Sequence, residues 1–249
     1  MSNPVFNSNL YENNVYTDVS NETMSINGTL QITGFMGLIL MLSAYFCWSR
    51  FSLGYTDMTY MLMGFGGIVG FILAIVISFM GTNSHYKSVK YLIPVYSACE
   101  GLLLGGLSAT FEASYPGIVS SALIGTFAAL FAMLALYGMG IIRATEKFRS
   151  VIFIATLSIL AVYIVDFIGH FFGHSVPILY STSNAGMLIS GVFVVIAALN
   201  LIIDFDFIEQ CVQRRFPKDY EWYGAFGLMV TIVWLYVEIL RLLAKSHRR

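Results

Sequence analysis

Charge is what this sequence has least of. Lys and Arg together number 13 and Asp and Glu 14 in 249 residues, so 11% of the chain is charged, against roughly 25% in an ordinary soluble domain. A net charge of -1 supplies no basic field for a nucleic-acid partner. Cysteine is scarce too: there are three, an odd number, and Cys47 and Cys99 fall inside apolar runs, so neither a disulfide framework nor a metal-binding spacing is present. The sequence also lacks a Gly-rich phosphate loop, a nucleophile elbow and an HExxH motif. Serines in the apolar runs have no histidine at matching depth. No enzyme is expected.

The first 28 residues carry seven Asn, three acids and no Lys or Arg. Without a basic start and an apolar centre they do not form a signal peptide. They are expected to be a short polar tail that stays attached. Asn21 and Asn27 each begin an Asn-x-Thr sequon, which would matter only in a eukaryotic secretory lumen and is read here as a product of Asn-rich composition.

What the sequence has in abundance is apolar surface, 57% of its residues. Crossing ~30 Å of hydrocarbon takes about 20 apolar residues in a helix. Seven runs qualify, at residues 29–48, 59–80, 88–108, 117–138, 150–168, 183–208 and 224–243. None alternates as barrel strands do, and helices are the remaining way to satisfy a backbone in lipid. The expected fold is an all-α polytopic membrane protein with seven transmembrane helices over residues 29–245, followed by a basic tail at 246–249.

Lys and Arg in the loops set the orientation. Lys87 and Lys90 lie between the second and third spans, Arg143, Lys147 and Arg149 between the fourth and fifth, and Arg214, Arg215 and Lys218 between the sixth and seventh. The opposite side holds Arg50. This bias puts the N-terminus in the cytoplasm. Arg241, Lys245, Arg248 and Arg249 run against it if the last span crosses fully, and a re-entrant last helix is the alternative. The length of residues 224–243 favours a full crossing.

Small residues let helix backbones approach in lipid. Gly64, Gly66, Gly67 and Gly70 on the second span, Gly101 and Gly105 on the third, and Gly186, Ser190 and Ala197 on the sixth are therefore read as packing faces.

Carboxylates inside apolar spans are costly, so they turn inward, pair, or line a wet path. Four occur: Glu100, Asp166, Asp204 and Glu238. Asp204 shares a helical face with Ala197 and Asn200, and Glu238 shares one with Thr231, Trp234, Arg241 and Lys245. Both faces suit a bundle interior. Two carboxylates in hydrogen-bond contact there cannot both ionise cheaply and would share one proton, a sensor of pH near neutrality. The competing reading pairs Glu238 with Arg241 at i,i+3 and leaves Asp204 satisfied near the cytoplasmic interface. Glu100, facing with Ser97, Gly101 and Ser108, is either an accessory cation or proton carboxylate or a neutral helix-packing group. Asp166, His170 and His174 have the i, i+4, i+8 spacing of helix-borne metal ligands. Gly169, Gly173 and Pro177 signal that the helix is ending, so solvated histidines in an external loop are the favoured reading.

The segment NLIIDFDFIE followed by GLMVTIVWLYVEILRLLAK resembles the transmembrane Bax inhibitor motif family in its bacterial branch, as do the opening NPVF and YSACEGLLLG in the third span. The likeness runs over residues 3–245. It implies a seven-helix bundle with the last helix central, wrapped by the other six, and a pH-sensitive calcium leak controlled by a pair of aspartates. By motif, the sixth-helix acid is Asp204 and the seventh-helix acid is Glu238. The second acid is Glu where the family pattern has Asp, which adds a methylene of reach. The loop at 211–223 is longer than in simpler bacterial relatives, so Asp206 rivals Asp204. The second span has no basic residue to act as a latch, and Lys87 and Lys90 are weak substitutes.

The expected function is a pH-gated cation leak of a bacterial cytoplasmic membrane, for Ca²⁺ as transported ion, with Asp204 and Glu238 as gate and Glu100, Asp206 and Arg241 as accessories. No cofactor is expected, and the partners are the bilayer with Ca²⁺ or protons. The residues alone reach ion or proton handling; calcium comes from the resemblance. The alternative is a non-conducting regulator that binds other membrane proteins, such as a protease, through the glycine faces and the loop at 214–221.

Overall fold

Hydropathy marks where a helix is apolar, but backbone hydrogen bonding carries each helix past that point into the polar interface. In the computed structural model, which describes residues 22–81, 86–173 and 176–248, the helices are α1 Ile26–Ser52, α2 Thr56–Gly81, α3 Tyr86–Ser114 and α4 Ile118–Gly138. They continue with α5 Glu146–Phe171, the single turn α6 Pro177–Tyr180, α7 Asn184–Gln213 and α8 Tyr220–His247. Seven of them are long and apolar enough to cross a membrane. Caps set several of the ends. Ser25 Oγ accepts from Gly28 N at 3.0 Å to start α1, and Thr145 Oγ1 accepts from Phe148 N at 3.3 Å to start α5, each satisfying an amide the helix cannot. Helix α1 therefore begins inside the stretch read as a tail.

The chain forms two compact units, to both of which α7 and α8 contribute. One holds α1, α2 and α3 with Phe207–Met229; the other holds Gly117–Asp206 with Val230–Arg249. In the first, glycines on α3 bring backbones together. A Cβ on Gly105 would lie 2.3 Å from the carbonyl oxygen of Ala44, and one on Gly101 would lie 2.3 Å from that of Leu40. On α2 a Cβ at Gly66 would meet the Cys99 carbonyl at 2.4 Å, whereas one at Gly64 would meet nothing within 4 Å. Gly66, Gly101 and Gly105 form the packing faces the sequence suggests, and Gly64 lies off them. Away from these seams, side chains such as Met61, 75% exposed, face outward, as suits lipid.

The N-terminal part of α8 fills this unit. Tyr223 packs where Gly81 of α2 leaves no room for a Cβ, and Phe226 meets Tyr96 of α3 edge-on at 5.0 Å. Tyr223 also meets Phe207 of α7 at 6.3 Å, and Trp222 meets Phe35 of α1 at 6.5 Å. In the second unit, Ile239 lies against Gly125 of α4, Glu238 bonds to Tyr163 of α5, and Lys245 bonds to Ser190 of α7. Within one unit or the other, the last helix touches each of the other six long helices, as expected for a central helix. Its Phe226, Leu235 and Leu240 are fully buried.

The turn before α8 is tied to the segment before α1. Helix α7 closes with Phe216 N on Cys211 O and Arg215 N on Val212 O, both 3.0 Å, the paired bonds of a Schellman ending. Arg215 sits there at φ 54, where glycine is usual. Beyond it, Thr23 bridges Pro217, Met24 N donates to Phe216 O at 2.8 Å, and Lys218 Nζ reaches Glu22 at 2.6 Å. Glu221, buried in the first turn of α8, accepts from both the amide and the hydroxyl of Ser25 at 2.9 Å. The Lys218 charge holds the Glu22 carboxyl below its ordinary range, and Glu22 in turn raises Lys218.

A buried carboxylate cluster as candidate functional site

Apolar runs on both sides carry Glu238 into the interior of the second unit, where it is 2% exposed. Its Oε1 accepts from the Tyr163 hydroxyl of α5 at 2.5 Å and from the Trp234 indole N–H one turn back at 3.0 Å. Arg241, one turn on, brings Nη1 to 4.0 Å of the same oxygen and lays its guanidinium over the Tyr163 ring, 4.9 Å from the centroid. The shared face of Trp234, Glu238 and Arg241 read from sequence is thus assembled. Neutral donors, and not a close ion pair, stabilise this carboxylate. Tyr163 is the partner that helical spacing on α8 could not supply; its trace in the sequence is a lone phenol inside the apolar AVYIVDF.

Asp204 is 0% exposed. One turn before it, Asn200 Nδ2 donates to Thr156 Oγ1 of α5 at 3.0 Å and to Ile196 O at 2.8 Å, so the polar stripe on α7 is real. The Asp206 carboxylate is bonded to Arg149 of α5, which also reaches Glu146 at 3.3 Å. Asp206 is therefore engaged toward the loop end of the bundle, while Asp204 points into the interior with Asn200.

The depth of the two buried acids follows from Lys245. It is buried, and its ammonium donates to Ser190 Oγ at 2.7 Å and Gly186 O at 3.3 Å, which sets the antiparallel register of α7 against α8. At 1.5 Å per residue, Asp204 lies about 21 Å along α7 from Ser190, while Glu238 lies about 10 Å along α8 from Lys245. The carboxylates thus stand roughly 10 Å apart in depth, and Thr231, about 21 Å from Lys245, is the α8 residue level with Asp204. A spacing of two turns separates what the motif match alone would put in contact.

Asp166 is buried at the far end of α5. It accepts from Val176 N at 2.8 Å and the Tyr180 hydroxyl at 2.6 Å, tying down the α5–α7 connection. His170 is exposed, and His174 lies outside the described residues. Among the described residues no group of three His, Cys, Asp or Glu side chains could hold a metal. In the first unit, Glu100 is half-buried, hydrogen-bonded to Tyr96 one turn back, and lies beside Gly70, whose Cβ would come within 3.3 Å of its Oε1. Lys90 pairs with Asp219 at 3.3 Å; the side chain of Lys87 lies outside the described set.

Seven long apolar helices with acids folded inward define an all-α polytopic integral membrane protein. The chain belongs to the Bax inhibitor 1 like family, whose model matches residues 3–248. Comparison with curated proteins and with solved structures finds no match.

Proposed function

We propose that this protein is a pH-sensitive cation leak, with Ca²⁺ as the permeant ion and with Asp204 and Glu238 as the titrating groups. The observation that supports it best is the burial of both carboxylates, 0% and 2% exposed, on neighbouring helices of one unit. Buried acids at membrane depth mark ion or proton paths. Calcium takes six to eight oxygen ligands in irregular geometry, and carboxylates with Asn200, Thr156 and backbone carbonyls offer such oxygens.

A separation of roughly 10 Å in depth changes the expected coupling. A proton shared in one hydrogen bond gives way to two sites that feel each other through space, by about 1.7 kcal/mol at an effective dielectric constant near 20. Each carboxylate that loses its proton adds a fixed negative charge for a passing cation and a repulsion that loosens the packing of α7 on α8. Flux rises with pH on this scheme.

The proposed setting is a bacterial cytoplasmic membrane with the N-terminus inside. Lys245, which runs against the loop charge bias, is spent on Ser190 and Gly186, and Arg241 on Tyr163. Cations bound within the protein weigh little in orientation. At 28 residues, α8 is about 42 Å long, ample for a full crossing.

The test is Ca²⁺ influx into proteoliposomes, scanned from about pH 6 to about pH 8, for the wild type, Asp204→Asn and Glu238→Gln. The wild type should leak more at the higher pH, and either substitution should reduce the flux and flatten its pH dependence. Absence of flux above empty vesicles, with protein shown to be inserted and folded, would sink the leak and leave a regulator of other membrane proteins as the better reading.

A further inference from the structure

We infer that Tyr163 and Trp234 are positioning residues that hold Glu238 with one carboxylate oxygen engaged and the other presented to a metal cation. The inference rests on the cation reading of this site. Its basis is that every contact made by the carboxylate converges on one atom. Tyr163 Oη at 2.5 Å, Trp234 Nε1 at 3.0 Å and Arg241 Nη1 at 4.0 Å all address Oε1. Oε2 takes none of them.

The clamp is rigid because its parts are themselves packed. The Tyr163 ring stands edge-on to Phe193 of α7 at 5.8 Å and carries the Arg241 guanidinium on its face, so the phenol joins α5, α7 and α8. Trp234 lies one turn from Glu238 on the same face. Rotating the carboxylate would break both donor bonds in a place where water is scarce, and a lost bond to a charged group there is costly. Oε2 is thereby fixed in direction.

The permanent charge nearest to Glu238 is also displaceable. Arg241 stands at the outer limit of an ion pair, and its side chain is 47% exposed. The other titratable or charged groups on the elements around Glu238 are Tyr163 and Asp166 on α5, Asp204 on α7 at its different depth, and Lys245 on α8, which is committed to Ser190. The α4 contact, Gly125 against Ile239, is apolar. An incoming hard cation therefore competes with one weakly held guanidinium for a carboxylate whose second oxygen is already aimed. Calcium fits because it accepts monodentate carboxylates at irregular angles.

Trp234 supplies a readout of its own, since its indole donates to the carboxylate in question. In a Trp48→Phe, Trp222→Phe background, Ca²⁺ added to the purified protein should change Trp234 emission saturably, and Glu238→Gln should abolish the change. Tyr163→Phe should weaken the Ca²⁺ midpoint by about tenfold, the equivalent of one hydrogen bond to a charged group, and should move the pH midpoint of the emission. Glu238→Asp, which pulls the carboxylate back from both donors, should behave like Tyr163→Phe and serves if that variant does not fold. An unchanged Ca²⁺ midpoint and pH profile in Tyr163→Phe or Glu238→Asp, or a Ca²⁺ response that survives Glu238→Gln, would overturn the assignment. Emission reports binding and vesicle flux reports passage, so a Trp234 response without flux removes the leak and keeps the clamp, whereas flux without a Trp234 response does the reverse.

Discussion

Ser25 does two things at one point in the chain: it caps α1 through Gly28 N and donates to the buried Glu221 carboxylate at the start of α8. Removing the hydroxyl loses a helix cap and one of the two Ser25 bonds to that carboxylate. Ser25→Ala should therefore destabilise the protein by about 2 kcal/mol, read as a drop in unfolding midpoint in detergent. Arg215 points the other way. It is exposed and held at φ 54, a left-handed conformation that costs a side-chain-bearing residue roughly 1–2 kcal/mol. Arg215→Gly should stabilise by about 0.5–1 kcal/mol once the extra freedom of glycine in the unfolded chain is deducted. The Glu22–Lys218 pair carries a pH signature. Lowering of the Glu22 carboxyl means its stabilisation is complete above the ordinary carboxylate range and fades as pH falls through the lowered value; raising of Lys218 means its share is complete below the ordinary lysine range and fades as pH rises through the raised value. Glu22→Gln should thus cost stability at neutral pH and cost nothing once the carboxylate is protonated in acid. A loss that persisted in acid would assign the effect to the backbone bridge at Thr23 instead.

Among the elements, glycines separate packing from composition. Gly105→Ala must push against the Ala44 carbonyl and should destabilise by about 2–3 kcal/mol. Gly64→Ala meets nothing and should be neutral or stabilise by up to about 1 kcal/mol through helix propensity. Equal effects at the two sites would contradict the packing of α3 on α1. The seven long helices themselves were legible because hydrocarbon demands long apolar runs, and their ends were not, because caps such as Ser25 and Thr145 sit in polar sequence that hydropathy does not score. The inward faces of α7 and α8 were legible from spacing. Partners from other helices were not: Tyr163 on Glu238, Arg149 on Asp206 and Thr156 on Asn200 depend on register across helices, which a one-dimensional pattern does not encode. Register also explains why Asp204 and Glu238, joined by motif, stand at different depths. The 186–190 region of α7 binds Lys245, and counting residues from that bond sets them apart.

For the whole molecule, seven crossings put the loop after α7 and the residues after α8 on opposite sides of the membrane. The three native cysteines are buried, so an impermeant thiol reagent should leave the wild type unlabelled. With the proposed orientation, Arg214→Cys should label only from the cytoplasmic side and Ser246→Cys only from the other; the reverse pattern would invert the topology, and labelling of both from one side would make α8 re-entrant. The fold and the family place the protein in a membrane, and the inward acids give that membrane protein its proposed work. The most direct measurement of that work is the reversal potential of the purified protein in a planar bilayer under a CaCl₂ gradient. The buried carboxylates predict a potential on the calcium side of zero that collapses in the Asp204→Asn, Glu238→Gln double variant. A potential on the chloride side, or a cation-selective current unchanged in that variant, would contradict the account.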